Sequence, residues 1–109
     1  MSKVLYVLDN NEKSEYKYNI CEDTIIYHFS INSSSKVEVN LVTEGVTLYY
    51  YYNNINYDNN EFKIKVNHME DNTHSELFNH GVNVLVNKLT YYVDGSVPKK
   101  SSKCICNQE

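Results

Sequence analysis

Three histidines recur at six-residue spacing in the stretch Asn67-His68-Met69-Glu70-Asp71-Asn72-Thr73-His74-Ser75-Glu76-Leu77-Phe78-Asn79-His80. An even spacing puts extended side chains on one face, and imidazole is the commonest metal ligand among side chains. Against a shared site at His68, His74 and His80 stands the pair Asn72-Thr73, which reads as a turn and breaks the alternation. The expectation is therefore no metal there. A second candidate is Cys104-Ile105-Cys106. Two thiols two residues apart point to the same side of a strand, and soft thiolates take zinc, Cu(I) or iron–sulfur clusters. A closed site needs about four ligands, so Cys21 or a second chain would have to complete it. Otherwise the thiols act as small hydrophobes. A third is the run Tyr49-Tyr50-Tyr51-Tyr52, a potential stacking platform for a sugar or peptide. Strand alternation sends two of those rings inward and two outward.

Catalytic signatures are missing. The chain has no nucleophile elbow, P-loop, HExxH or GxGxxG. Glu61, Glu70 and Asp71 fall at strand edges or in turns and form no acid/base pair. A cupin-like metalloenzyme built on His68 and His74 would need a tighter His-x-His spacing. The expectation is a protein that is not an enzyme.

The elements that carry these residues are short strands. Alternating or β-rich runs cover 3–8, 16–20, 24–31, 36–42, 46–52, 61–67, 75–78, 82–86 and 89–93. Phe62, Ile64 and Val66 share one face, and Glu61, Lys63, Lys65 and Asn67 the other, a period of two that no helix can have. Turn formers such as Asn10-Asn11, Asn32-Ser33-Ser34-Ser35, Glu44-Gly45 and Asp94-Gly95 separate the runs. The chain reads as all-β. Strands spaced by about 8–12 residues suit a sandwich, a barrel or a β-solenoid, and the residue pattern leaves all three open. The run Lys99-Lys100-Ser101-Ser102-Lys103 reads as a loop or an edge, because lysine discourages edge pairing.

At 109 residues and 12.8 kDa, one domain over 1–109 is expected. A net charge of −4 lacks the basic excess that phosphate neutralisation demands, so nucleic acid is not an expected partner. No apolar run approaches the ~18 residues of a membrane helix. The start carries no signal-peptide pattern, and a cytoplasmic protein with reduced thiols is expected.

From about residue 36 onward the order of weak positions is familiar. The stretch 37–48 and a Tyr run precede a strand ending in His68. Then come Asn72, Thr73 and Ser75, with Gly81 six residues after that serine. This resembles the core domain of the SufB/SufD family of iron–sulfur cluster assembly proteins. The resemblance implies a right-handed parallel β-helix, with a β-sandwich as the alternative. It implies an assembly scaffold or accessory protein that pairs with a longer partner. That partner would be a SufB/SufD paralogue, an ABC-type ATPase or a second copy, since a short β-helix has unpaired end strands. It also implies a transient iron–sulfur cluster near Cys104 and Cys106. The family's cluster-linked cysteine falls on Gln108 in this register, and its turn proline is replaced by Glu70-Asp71. The alternative function is a β-structured binding or structural module without cluster chemistry.

Overall fold

Period-two patterning runs the length of the chain and produces nine strands. They are β1 (Lys3–Asp9), β2 (Glu15–Ile20), β3 (Thr24–Ile31), β4 (Ser35–Leu41), β5 (Thr47–Ile55), β6 (Glu61–His68), β7 (Thr73–Val82), β8 (Lys88–Asp94) and β9 (Lys100–Asn107). The structure is a computed structural model. It describes residues 2–56, 59–82, 88–95, 97 and 99–107, with side chains for all of these but Val82 and 105–107. Among the described residues there is no helix, and so none long and apolar enough to cross a membrane.

Odd-numbered strands form one sheet in the order β1-β3-β5-β7-β9, and even-numbered strands a second in the order β2-β4-β6-β8. Every pairing between these strands is parallel. The chain thus crosses from one sheet to the other at each turn, and each odd–even pair of strands is one layer. Successive layers stack in a manner consistent with a solenoid-like fold. Antiparallel hairpins, which a Greek-key sandwich needs, do not occur among the described strands. The dimensions, 39 × 21 × 20 Å, fit strands of up to ten residues at ~3.3 Å each, lying in sheets ~10 Å apart.

The repeat length changes along the stack. Lys3 pairs with Thr24, Thr24 with Leu48 and Leu48 with Ser75, giving steps of 21, 24 and 27 residues. The step then holds at 27, from Ser75 to Ser102 in the odd sheet and from Lys36 to Lys63 to Thr90 in the even sheet, so only the later layers share a period. The interior is built in columns. Leu5, Ile26, Tyr50 and Leu77 lie one above the other in the odd sheet. Tyr18, Val39, Val66 and Val93 do so in the even sheet. Ile26, Val39, Leu41, Leu48 and Ile64 are fully buried, each worth roughly 1.5–3 kcal/mol of apolar transfer.

Corners use left-handed asparagines. Asn11, Asn32 and Asn72 have φ of 71°, 46° and 61°, a region their short amide tolerates. Gly95 has φ of 137°, and a Cβ there would overlap the His68 carbonyl.

Several expected boundaries move. Thr73 opens β7 rather than belonging to a turn, and the strand expected over 75–78 spans Thr73–Val82. The lysine run is not a loop. It enters edge strand β9, because β7 supplies backbone partners from Thr73 to His80. The strand expected over 82–86 lies outside the described residues from 83 onward.

The register makes a direct test. Ile64→Ala should destabilise the fold by about 2–5 kcal/mol. Lys65→Ala, one residue away on the outer face, should shift it by about 0.5 kcal/mol or less. Urea unfolding followed by far-UV circular dichroism reads both. Equal losses would contradict the alternation, and helical minima would contradict the all-β assignment.

Candidate functional site

His68 ends β6 with its ring buried. The turn over 69–72, closed by left-handed Asn72, brings the start of β7 beneath it. Thr73 Oγ1 donates to the Glu70 carbonyl at 2.9 Å and lies 2.8 Å from His68 Nδ1. The threonine proton is therefore committed, so Nδ1–H must be the donor to Thr73. Nε2 then accepts from Ser75 Oγ at 3.0 Å, and Tyr91 Oη lies 3.3 Å from the same serine. Burial pushes the His68 pKa below 6.5, and Lys100 and His74 add to it. The ring is neutral and both nitrogens are used, which leaves no lone pair for a metal.

His68, Thr73 and Ser75 thus form one interior cluster, with Asn72 as its turn. Gly81 is not part of it. It sits near the other end of β7, in register with Asn54, where a Cβ would overlap the Asn54 amide.

The other histidines go elsewhere. His74 points outward, with Nε2 2.7 Å from Glu76 Oε2 and Nδ1 2.5 Å from Ser101 Oγ. His80 is exposed on the same strand. Even spacing does put His74 and His80 on one face, but six residues of strand separate them by about 20 Å. A metal needs bonds of about 2 Å. Among the described residues no three His, Cys, Asp or Glu side chains converge.

Cys104 is exposed on β9, opposite Leu77. Cys106 lies two residues on, opposite Asn79, and its side chain is outside the described set. Cys21 is exposed in the link that follows β2.

The tyrosine run divides as expected. Tyr50 and Tyr52 are buried, while Tyr49 and Tyr51 face outward. Tyr51 belongs to an external column that stacks face to face. Tyr6–Tyr27, Tyr27–Tyr51 and Tyr51–Phe78 have ring centroids 5.4, 5.1 and 4.5 Å apart at interplanar angles of 15°, 20° and 8°. Within the column neighbouring rings cover one another's faces, so Tyr27 and Tyr51 present edges and hydroxyls, and a broad stacking plane for a sugar is not formed.

One network escaped the sequence reading. Asp9, His28 and Ser33 have no solvent exposure, and Tyr50 has almost none. His28 Nε2 lies 2.8 Å from Asp9 Oδ2, its Nδ1 lies 2.5 Å from Tyr50 Oη, and Ser33 Oγ donates to Asp9 Oδ1 at 2.5 Å. Burial works to raise the Asp9 pKa, but the hydrogen bonds from Ser33 and His28 outweigh it and hold the group below 3.8. Burial lowers His28 below 6.5 against the pull of Asp9, and raises Tyr50 well above 10.0. The order of donation is Tyr50 O–H to Nδ1, then Nε2–H to the carboxylate. It is a buried Asp–His–Tyr hydrogen-bond chain. The partners lie 19 and 22 residues apart, a spacing that advertises nothing in the sequence. The only cue is a histidine at an inward period-two position.

The two outer faces differ in kind. The even sheet carries an asparagine column, with Asn40 donating to Asn19 at 3.0 Å and Asn67 to Asn40 at 2.7 Å. Beside it lie ion pairs such as Lys17–Glu38 at 3.4 Å and Lys65–Asp94 at 3.7 Å. The odd sheet exposes Tyr6, Leu8, Phe29, Ile31 and Ile55.

Acid should weaken the fold early. In the unfolded chain His28 and His68 take up protons from about pH 6.5 downward, whereas the folded chain keeps them neutral. Stability should fall as pH drops below 6.5, and fall again as Asp9 is protonated below 3.8. Thermal melts from pH 7 to pH 5 should show a declining Tm, with a shallower decline in His68→Gln. A flat profile would refute the linkage.

No family model matches the chain, and no curated protein or solved structure is significantly similar to it.

Proposed function

We propose that the chain is a right-handed parallel β-helix serving as a non-catalytic scaffold that pairs with another β-structured chain through its open end layer. The observation that carries this reading is β1. Its centre, Val4-Leu5-Tyr6-Val7-Leu8, is five apolar residues long, and the strand has a neighbour on one side only. Val4, Tyr6 and Leu8 are exposed at 42 %, 75 % and 67 %, and Leu5 and Val7 are only partly buried against the core. Edge strands are ordinarily blunted by charge, proline or a bulge, and the centre of β1 has none. Right-handed crossovers are the rule for parallel strands in one sheet, which supports the handedness. A partner supplying one more layer would bury Leu5 and Val7 as the next layer buries Ile26 and the inward residues of β3.

The expected partner is a longer β-helix or the ATPase that such scaffolds serve. Anaerobic affinity capture with wild type and with Leu5→Lys tests it. Wild type should bring down a partner that Leu5→Lys does not. Identical captures would refute edge pairing.

The exposed thiol on the opposite end strand favours a second reading. Cys104, with Cys106 two residues on, offers two ligands of a transient iron–sulfur cluster completed by a partner. Anaerobic iron and sulfide should then give visible absorbance that is lost in Cys104→Ser/Cys106→Ser. Equal absorbance in that variant would remove the role of these cysteines.

A further inference from the structure

The odd sheet has a second surface, distinct from its edge. The outward positions of β1, β3 and β5 carry no Lys, Arg, Asp or Glu. On β7 and β9 the described outward charges are Glu76 and Lys103, which lie opposite each other in register. A cleft of about 520 Å³ opens at the end of this face, with Leu8, Phe29, Ile31 and Ile55 as its apolar lining and Asn53 and His80 at its polar side. Exposed apolar patches of this extent mark interaction sites.

We propose that this face is the interface of a homodimer, in which two copies pack odd sheet against odd sheet. The alternatives fit less well. Sugars need open ring faces, and the column Tyr6-Tyr27-Tyr51-Phe78 covers its own. An anionic lipid surface needs a basic rim, whereas the described outward charges of this face are one Glu and one Lys and the chain carries −4. A single helix, about 10 Å wide, would leave most of the face wet. Five strands and seven residues span about 24 by 23 Å. That is a footprint of about 550 Å² per copy and about 1,100 Å² for two, which clears the roughly 1,000 Å² that a specific interface requires.

A second copy also matches in charge and shape. Glu76 and Lys103 lie side by side on the face and offset one another, so two such faces meet without net like-charge repulsion. Sheets pack face to face at ~10 Å, and a two-fold axis offers each cleft the other copy's exposed side chains. The charged ladders of both even sheets remain in solvent.

Light scattering after size exclusion, at concentrations where micromolar affinities saturate, decides the matter. Wild type should run at about twice 12.8 kDa. Phe29→Lys/Ile55→Lys should run as a monomer with an unchanged strand spectrum, because both residues sit on strands already paired on two sides. If that double variant fails to fold, Tyr6→Glu, three-quarters exposed, carries the same test. Lys36→Glu on the even sheet and Leu5→Lys at the edge should leave the dimer intact. A monomeric wild type would overturn the proposal. So would a dimer that survives folded charge variants of the face. Loss of the dimer in Leu5→Lys alone would assign it to the edge instead.

Discussion

Parallel stacking without offset is the constraint on which everything else depends. Each residue lies over its counterpart one layer away, about 4.8 Å off, so every column must be chemically compatible with itself. Apolar columns such as Leu5-Ile26-Tyr50-Leu77 satisfy this by burial. Asn19-Asn40-Asn67 satisfies it by side-chain amides bonding head to tail. Tyr6-Tyr27-Tyr51-Phe78 satisfies it by ring stacking, a geometry worth ~0.5–1.5 kcal/mol per pair beyond area. A shift of one residue would set every column against the wrong face.

Polar groups inside the stack make the register stricter. A lone carboxylate buried as Asp9 is would cost several kcal/mol, and it is tolerated because Ser33 and His28 both donate to it. His28 Nδ1 in turn accepts a hydrogen bond from Tyr50 Oη, so residues from three different layers must be placed before any one is satisfied. The ring of His28 is also packed by Tyr52 and Phe62 at 5.2 and 5.5 Å. The His68-Thr73-Ser75 cluster does the same at a corner. Both are buried and hydrogen-bonded through several elements at once, so each fixes the register of the strands that meet there. The reactive and sticky chemistry is left at the surface, on the end strands and the odd sheet's outer face.

That division gives the two sheets separate roles. The even sheet is laced with exposed ion pairs, each worth little in stability, ~0–1 kcal/mol, and together keeping that side solvated. The odd sheet carries bulk and no charge over three strands. At the ends of the stack and on this flat side, apolar burial is incomplete.

Much of the local order was legible in the residues. Period two in Phe62-Lys63-Ile64-Lys65-Val66 dictates a strand with Ile64 inside. The tyrosine run dictates two rings in and two out. Asparagine at 11, 32 and 72 marks corners, because an amide side chain tolerates positive φ. His68, Thr73 and Ser75 were set together only by a family resemblance, and their hydrogen bonds follow from the turn at Asn72 that brings β7 beneath β6. Residue order alone could not say which strands become neighbours. The first layers step by 21 and 24 residues before the repeat settles at 27, so Asp9, His28 and Tyr50, all in those early layers, meet only through the parallel register. The same holds for Tyr6, Tyr27 and Tyr51, whose rings look like separate exposed side chains until the layers align them. Local alternation follows from covalent geometry and is written in each strand. Contact between strands is a cooperative choice among many pairings, and only the packed structure makes it.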